Sequence, residues 1–503
     1  MPKSLFAAVA LAAFAVAGCD AVAPMDTMDT SASQGASAAR VATPAGVAND
    51  DVYVLIARNA LPADLEDQIA AAGGTLTRSI PEIGVAFATA DAPDFQSRAA
   101  ATVDGLEAVA PDLLIEWTGP VEIGDEAAEI GGPAADETFS FLQWPLEAIN
   151  VEPAWASGVT GAGVRVAIID GGIRSDHIDL ASQLDFEASR SFVPPSATPQ
   201  WDWNEENPAN TFWHGTHVAG IVGAADNGRG TIGVAPGATL IGVKALHAFN
   251  GSSGSGAFSW IIDAIYYAAT PLAEGGAGAD VINMSLGATL DEKAKDDGNK
   301  EAVRELKKAV DRATRYAWQQ GTLVVASAGN GATNFDDERT LLKIPAQNQH
   351  VLGVSATGPT NWASGRDNFS QLAYYSDFGK SIVEVAAPGG NYAYFFEDIQ
   401  DGALDVCTVG FLTRSCYLFD GYFSTTGGST LSYGWAQGTS MASPTVAGVA
   451  ALVMERFGTG NPADTRSRIR SSADDLGKSG NDEVYGHGFV DAAAAVGSQL
   501  ASN

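Results

Sequence analysis

Four short apolar runs recur through the chain: VRVAIID at 164–170, TLIGVKAL at 239–246, DVINMSLG at 280–287 and TLVVASAGN at 322–330, separated by stretches with helical periodicity. A strand buried on both faces needs a continuous apolar run rather than an alternating one, and such runs alternating with helices make a parallel sheet covered on both sides. The chain is therefore expected to be α/β, with a mostly parallel sheet and helices on both faces. With 503 residues and 46% hydrophobic residues it can bury a large core, and its length points to more than one folding unit. No repeat of 20 to 50 residues is visible.

Upstream of these runs lies a different pattern. DVYVLIARN, from Asp51, reads as a strand, PADLEDQIAAAG as a helix, TLTRSI and IGVAFATA as strands, DFQSRAAATVDGLEAV as a helix and PDLLIEW as a last strand. That order is a split βαβ, ferredoxin-like α+β unit over 50–117. The acidic, Gly- and Pro-bearing stretch 118–142 has no periodicity and is expected to be an exposed linker, open to proteolysis, ahead of a second domain at 143–503.

The chain opens with MPKSLFAAVALAAFAVAGCD, one lysine followed by an apolar stretch too short to span a bilayer comfortably, so residues 1–19 read as an export signal. Val16-Ala17-Gly18-Cys19 resembles a bacterial lipobox, which makes Cys19 a lipidation candidate, with ordinary signal cleavage as the alternative. The expected location is the cell envelope, as a lipoprotein, or the extracellular or periplasmic space. Residues 20–49, rich in Ala, Ser and Thr, are expected to be a disordered tether. With Cys19 set aside, Cys407 and Cys416 remain as a short-loop disulfide or as two reduced buried cysteines. Sixty acidic against 28 basic residues give a net charge of -32, which repels nucleic acid and anionic lipid faces; contact with a membrane is expected only through a lipid anchor.

The chemistry gathers at three places. VRVAIIDGG ends a buried strand in Asp170, and ligands of open parallel sheets collect at the carboxyl ends of strands; a turn-capping aspartate is the alternative. HGTHVAGIVGAA reads as a small-residue helix with His214 at its start and His217 one turn on. A zinc pair would need further ligands, and neither HExxH nor CxxC accompanies it, so His217 reads as a core histidine. In QGTSMASP, Ser440 opens an apolar helix and is either its cap or a nucleophile. Aspartate, histidine and serine supply an orienter, a general base and a nucleophile, and the chain order Asp, His, Ser differs from that of chymotrypsin and the α/β-hydrolases. The serine also lacks a G-x-S-x-G frame, which disfavours an esterase.

DGGI, HGTHVAG, INMSLG, SAGN and GTSMASP stand in the order of the subtilases, and the chain from about Gln143 to Val496 resembles these subtilisin-like serine peptidases. The resemblance implies a subtilisin-like fold, a triad of Asp170, His214 and Ser440, and Asn330 as the oxyanion-hole side chain, against an Asn-Gly turn as the alternative. No cofactor is expected for catalysis. It implies a substrate lying as an added strand between Ser285-Leu286-Gly287 and Gly254-Ser255-Gly256. Lys343 falls at the floor of the P1 pocket, where it would favour acidic side chains; a solvated lysine is the alternative. Asp179 and Asn227 match positions of a structural calcium site, against a surface-exposed Asp179. Residues 51–117 resemble the family's inhibitory propeptide. Expected partners are protein or peptide substrates and the chain's own propeptide, with the enzyme acting as a monomer. The rival reading is a catalytically silent peptide-binding module of the same fold. Two departures stand out: Gly171 replaces the hydroxyl residue usual after the aspartate, and Trp213 before His214 is bulky enough to narrow a subsite. Residues 391–431 look like an insertion of underived purpose.

Overall fold

The computed structural model describes residues 47–118, 123–124, 138–197, 202–204, 213–249, 253–291, 300–398 and 404–498. The export signal, Cys19 and most of the tether lie outside them. The first unit runs β1 (Val47–Ala57), α1 (Leu65–Ala71), β2 (Thr75–Ile80), β3 (Val85–Thr89), α2 (Phe95–Thr102) and β4 (Leu106–Thr118). Its sheet has the order β2-β3-β1-β4 with antiparallel pairing throughout, as a split βαβ unit requires. Side chains alternate between its faces. Leu55 and Ala86 pack with Ile69 and Phe95 of the two helices, whereas Val54, Ile56 and Val85 point the other way, into a core shared with the second unit.

Three boundaries differ from expectation. β1 begins at Val47, inside the expected tether, because Val47 and Ala48 pair with Leu114 and Leu113 across a bulge in which Asp51 has φ 67°. The second helix stops at Thr102, and Leu106 to Val109 join β4, since Gly105 at φ 69° turns the chain back into the sheet. The end of the expected linker is not exposed either: Phe139 and Leu142 are buried in an aromatic cluster.

The second unit continues with β5 (Ile123–Gly124), β6 (Arg165–Asp170), β7 (Arg190–Ser191), α3 (His214–Gly223), β8 (Thr239–Lys244), β9 (His247–Phe249), β10 (Ser253–Ala257), α4 (Phe258–Ala269), β11 (Val281–Met284) and β12 (Ala288–Asp291). It then runs α5 (Lys300–Gln319), β13 (Leu323–Ser327), β14 (Leu341–Ile344), β15 (Val351–Thr357), β16 (Val385–Pro388), β17 (Val406–Val409), β18 (Leu412–Ser415), β19 (Tyr422–Thr425), β20 (Tyr433–Ala436) and α6 (Thr439–Phe457). Seven strands form one parallel sheet in the order β16-β15-β13-β11-β6-β8-β7. β6 shows why its sequence is continuously apolar: Val166 and Ile168 enter the core beneath α3 and α6, while Ala167 and Ile169 enter the core beneath α4 and α5.

The insertion carries the β17–β18 hairpin, closed by a disulfide between Cys407 and Cys416, so the reduced alternative does not hold. Around it Phe139, Tyr392, Phe419, Phe423 and Trp435 build a separate aromatic core. Asp420 is buried in it and accepts N–H bonds from Asn361 at 2.6 Å and Trp362 at 2.7 Å. Burial pushes its carboxyl up to about 7, above the 3.8 of a free aspartate. A raised folded-state value means that stability present below pH 4 is lost as the pH rises through 7. Thermal melts between pH 4 and 8 should show this fall in the wild type and a flatter profile in Asp420→Asn, which carries no charge at any pH.

Candidate active site

Asp170 ends β6 at the carboxyl edge of the parallel sheet and is fully buried. Its Oδ1 accepts the Gly171 N–H at 2.7 Å, a backbone bond that does not depend on the side chain at 171. The Lys244 ammonium, on the neighbouring β8, donates to the Gly171 carbonyl and holds that turn. His214 is the first residue of α3, and its Nδ1 lies 2.8 Å from Asp170 Oδ2 and 3.0 Å from Oδ1. An ionised carboxylate only accepts, so Nδ1 carries the proton and Nε2 of the neutral ring is the basic nitrogen.

α3 reaches this position because its small residues allow close packing. A Cβ at Gly220 would stand 2.2 Å from the Thr425 hydroxyl and 2.5 Å from that of Ser424, both on β19. His217 points into the core, where its Nε2 lies 3.2 Å from the Gly434 carbonyl and burial holds the ring neutral, its pKa pushed down to about 3. Trp213 packs edge-on against His217 at 5.1 Å and belongs to the same core.

Ser440 lies in the first turn of α6, which packs beside α3. Its hydroxyl donates to the Ser285 carbonyl at 3.2 Å, and the Ser285 hydroxyl donates back to the Ser440 carbonyl at 2.7 Å. Asn283 steadies this pair: its amide donates to Ser285 Oγ at 2.9 Å while its oxygen accepts from Ser443 Oγ at 2.7 Å. Asn330 follows β13. Its Oδ1 accepts both the N–H of Thr439, at 2.9 Å, and the Thr439 hydroxyl, at 2.8 Å. With the oxygen fixed by Thr439, the Nδ2 donor is turned towards the Gly438–Ser440 turn, a Cβ at Gly438 standing 3.3 Å from it. Asn330 is thus more than a turn residue. It and the Ser440 N–H, at a helix start, are both donors at the Gly438–Ser440 turn, the kind of group that can stabilise an oxyanion.

The cleft beside Ser440 contains the chain's own β4. Leu114 to Thr118 pair antiparallel with Gly254 to Ala257 of β10, and the Gly287 N–H donates to the Trp117 carbonyl at 2.7 Å. Trp117 is buried, stacks edge-on against Phe258 at 4.9 Å and donates from its indole to the Gly256 carbonyl at 2.9 Å. On the far side Ile123 and Gly124 pair with Ala436 and Trp435 of β20, the strand that leads into the Gly438–Ser440 turn. Leu286 is a core residue.

The Subtilase family model matches residues 161–488, well over half of the chain and every motif of this site. The chain is a subtilase. It is 34% identical to the subtilisin of Bacillus pumilus over 354 residues, 70% of this chain and 98% of that one. It is 33% identical to subtilisin NAT of Bacillus subtilis subsp. natto over 361 residues, 72% of this chain and 73% of that one. In fold it is similar to the epidermin leader peptide processing serine protease of Staphylococcus aureus, with a TM-score of 0.67 at 22% identity, covering 90% of this chain and 99% of that one. This subtilase is accordingly a serine endopeptidase that acts on protein or peptide substrates.

Of the other residues expected at the site, Lys343 is not solvated. It is buried, and its ammonium donates to Asp377 at 3.1 Å and to the Thr289 hydroxyl at 3.0 Å. Asp179 is buried rather than exposed, with Asn227 Nδ2 3.3 Å from its Oδ1. Asn283, Ser443, Thr439 and Asp377 escaped the reading of the sequence because their roles are hydrogen bonds between segments more than 30 positions apart. Asn330→Ala should lower kcat by about 10² to 10³ with KM little changed, the cost of removing such a donor in a subtilisin; steady-state kinetics on a chromogenic peptide measures it.

Proposed function

We propose that this subtilase is made as an exported zymogen whose triad is Asp170, His214 and Ser440, with Asn330 completing the oxyanion hole. Ser440 attacks the scissile carbonyl while His214 takes its proton. The C–N bond then breaks as His214 returns that proton to the leaving amine, and water, deprotonated by the same histidine, resolves the acyl-enzyme. Asp170 holds the tautomer and stabilises the imidazolium.

The observation that carries the zymogen reading is the seating of β4 on β10 and Gly287, the two edges expected to take substrate. Residues 50–117 would then be the inhibitory propeptide, and the chain leaves the same cleft along β20. Maturation is assigned to a bond between Thr118 and Ile123. Export is supported by the leader at 1–19 and by a disulfide that suits an oxidising compartment, and Cys19 is the residue proposed to carry lipid. Among the described residues no helix is long and apolar enough to cross a membrane.

Asp179 and Asn227 are proposed to hold a structural calcium ion. Burial pushes the Asp179 carboxyl up to about 6, and its neighbours, Thr231, Tyr433 and Asn227, are neutral, so a divalent cation would relieve a buried charge. Among the described residues no cluster of three or more His, Cys, Asp or Glu side chains gathers, which leaves carbonyl and amide oxygens as the further ligands. Two measurements test these readings. Mass spectrometry of the expressed full chain should find wild type cut between Thr118 and Ile123 and Ser440→Ala intact; a wild type as intact as the mutant would refute self-processing. Added calcium should raise the Tm of the mature protein, and Asp179→Ala should abolish that rise.

A further inference from the structure

Asp377 stands within the enzyme's machinery, and no motif pointed to it. One carboxylate oxygen, Oδ2, accepts from Lys343 Nζ at 3.1 Å; the other, Oδ1, accepts the N–H groups of Gly331 and Thr333, both at 2.9 Å. Its own N–H donates to the Gly329 carbonyl at 2.8 Å. Asp377 therefore ties the loop that presents Asn330 to the lysine beneath it.

The place of this pair follows from the backbone around it. The carbonyl under attack must lie between Ser440 Oγ and Asn330 Nδ2, and the strand leading to it is pinned at the Gly287 N–H. The side chain next to that carbonyl, P1, must therefore descend between Gly287 and Gly329. A Cβ at Gly329 would fall 1.9 Å from Lys343 Nζ and 2.3 Å from Asp377 Oδ2, and one at Gly287 would fall 3.3 Å from Lys343 Cε. The lysine and its aspartate form the floor of that space. Lys343 is 5% exposed and Asp377 2%, so the pair is desolvated and each charge is matched by the other.

We infer that the Lys343–Asp377 ion pair makes the P1 pocket floor charge-neutral, so that the enzyme selects uncharged P1 side chains and excludes acidic ones, with Asp377 as the specificity-determining residue. This rests on the reading of Ser440 as the nucleophile. A P1 carboxylate would bring a second anion to one ammonium already balanced, inside a site with little water to screen the repulsion. A P1 ammonium or guanidinium would have to displace Lys343 from Asp377. An uncharged side chain meets neither cost, and an acceptor such as the carboxamide oxygen of glutamine can use the one ammonium N–H not engaged by Asp377 or Thr289. Specificity here comes from a built-in repulsion rather than from an added attraction.

The test uses the matured enzyme and fluorogenic peptides identical except for Ala, Gln, Glu or Lys at P1. Wild type should have a kcat/KM for Gln at least about tenfold above that for Glu or Lys. Asp377→Asn keeps an acceptor for the Gly331 and Thr333 amides but releases the lysine charge, and should raise the Glu to Gln ratio by about tenfold or more; Lys343→Met/Asp377→Asn should lose that gain. If Asp377→Asn does not fold, Lys343→Met alone serves, since the aspartate left behind should raise the Lys to Gln ratio. A wild type that prefers Glu overturns the inference, as does an active Asp377→Asn with an unchanged ratio. Turnover of the Ala peptide and labelling by a fluorophosphonate report Ser440 independently of the floor, so loss of both would refute the nucleophile reading instead.

Discussion

A parallel sheet must be covered on both faces, and almost everything in this protein follows from how that cover is supplied. β6 and β13 send alternate residues into two cores, one roofed by α3 and α6 and the other by α4 and α5. The four helices and the connections between them are then forced to begin or end along the carboxyl edge of the sheet, where Asp170 already stands. A buried carboxylate there is tolerable only with donors in place, and Gly171 and His214 provide them. α3 and α6 pack closely because their facing residues are small: a Cβ at Gly448 of α6 would stand 3.5 Å from the Val222 carbonyl oxygen of α3. His214 and Ser440 each open one of these closely packed helices, and many of the residues that support them are small.

The edge at β10 and Gly287 takes up the chain's own β4. β4 adds itself to β10 through backbone pairing, and Trp117 fills an apolar pocket against Phe258. The first unit also leans on α4 and α5 through Val54, Ile56 and Val85, and Asp112 accepts the N–H and hydroxyl of Ser259 at the start of α4. Ion pairs such as Arg78 with Asp263 and Lys308 with Glu107 are partly exposed and contribute on the order of 0–1 kcal/mol each. Apolar burial and main-chain pairing hold the unit in place, so the strand in the cleft is bound by the forces that would bind a substrate, and little in its side chains needs to be special.

The insertion is bound to the catalytic unit by aromatic packing. Phe139 packs edge-on against Phe423 at 5.5 Å and lies 5.0 Å from Tyr433, beside the β20 strand that carries the chain into Ser440. The start of the second unit and the approach to Ser440 thus share one small core, with Asp420 buried beside it. A segment that reads as an addition is in this way continuous with the active-site support.

Much of this was legible in the residues themselves. Apolar runs without alternation announce strands buried on both faces, and a glycine-led turn before a small-residue helix announces a close approach, because these are local consequences of sterics and solvation. So the sheet class and the order Asp170, His214, Ser440 could be read from the chain. Tertiary structure alone decided what depends on partners distant in sequence: that Val47 and Ala48 would find a strand to pair with, that Phe139 would be buried, and that Lys343 would meet Asp377. A lysine in a sequence carries its charge, but whether that charge faces water, a substrate or a buried carboxylate is settled only when chain segments 34 positions apart come to lie 3.1 Å from each other.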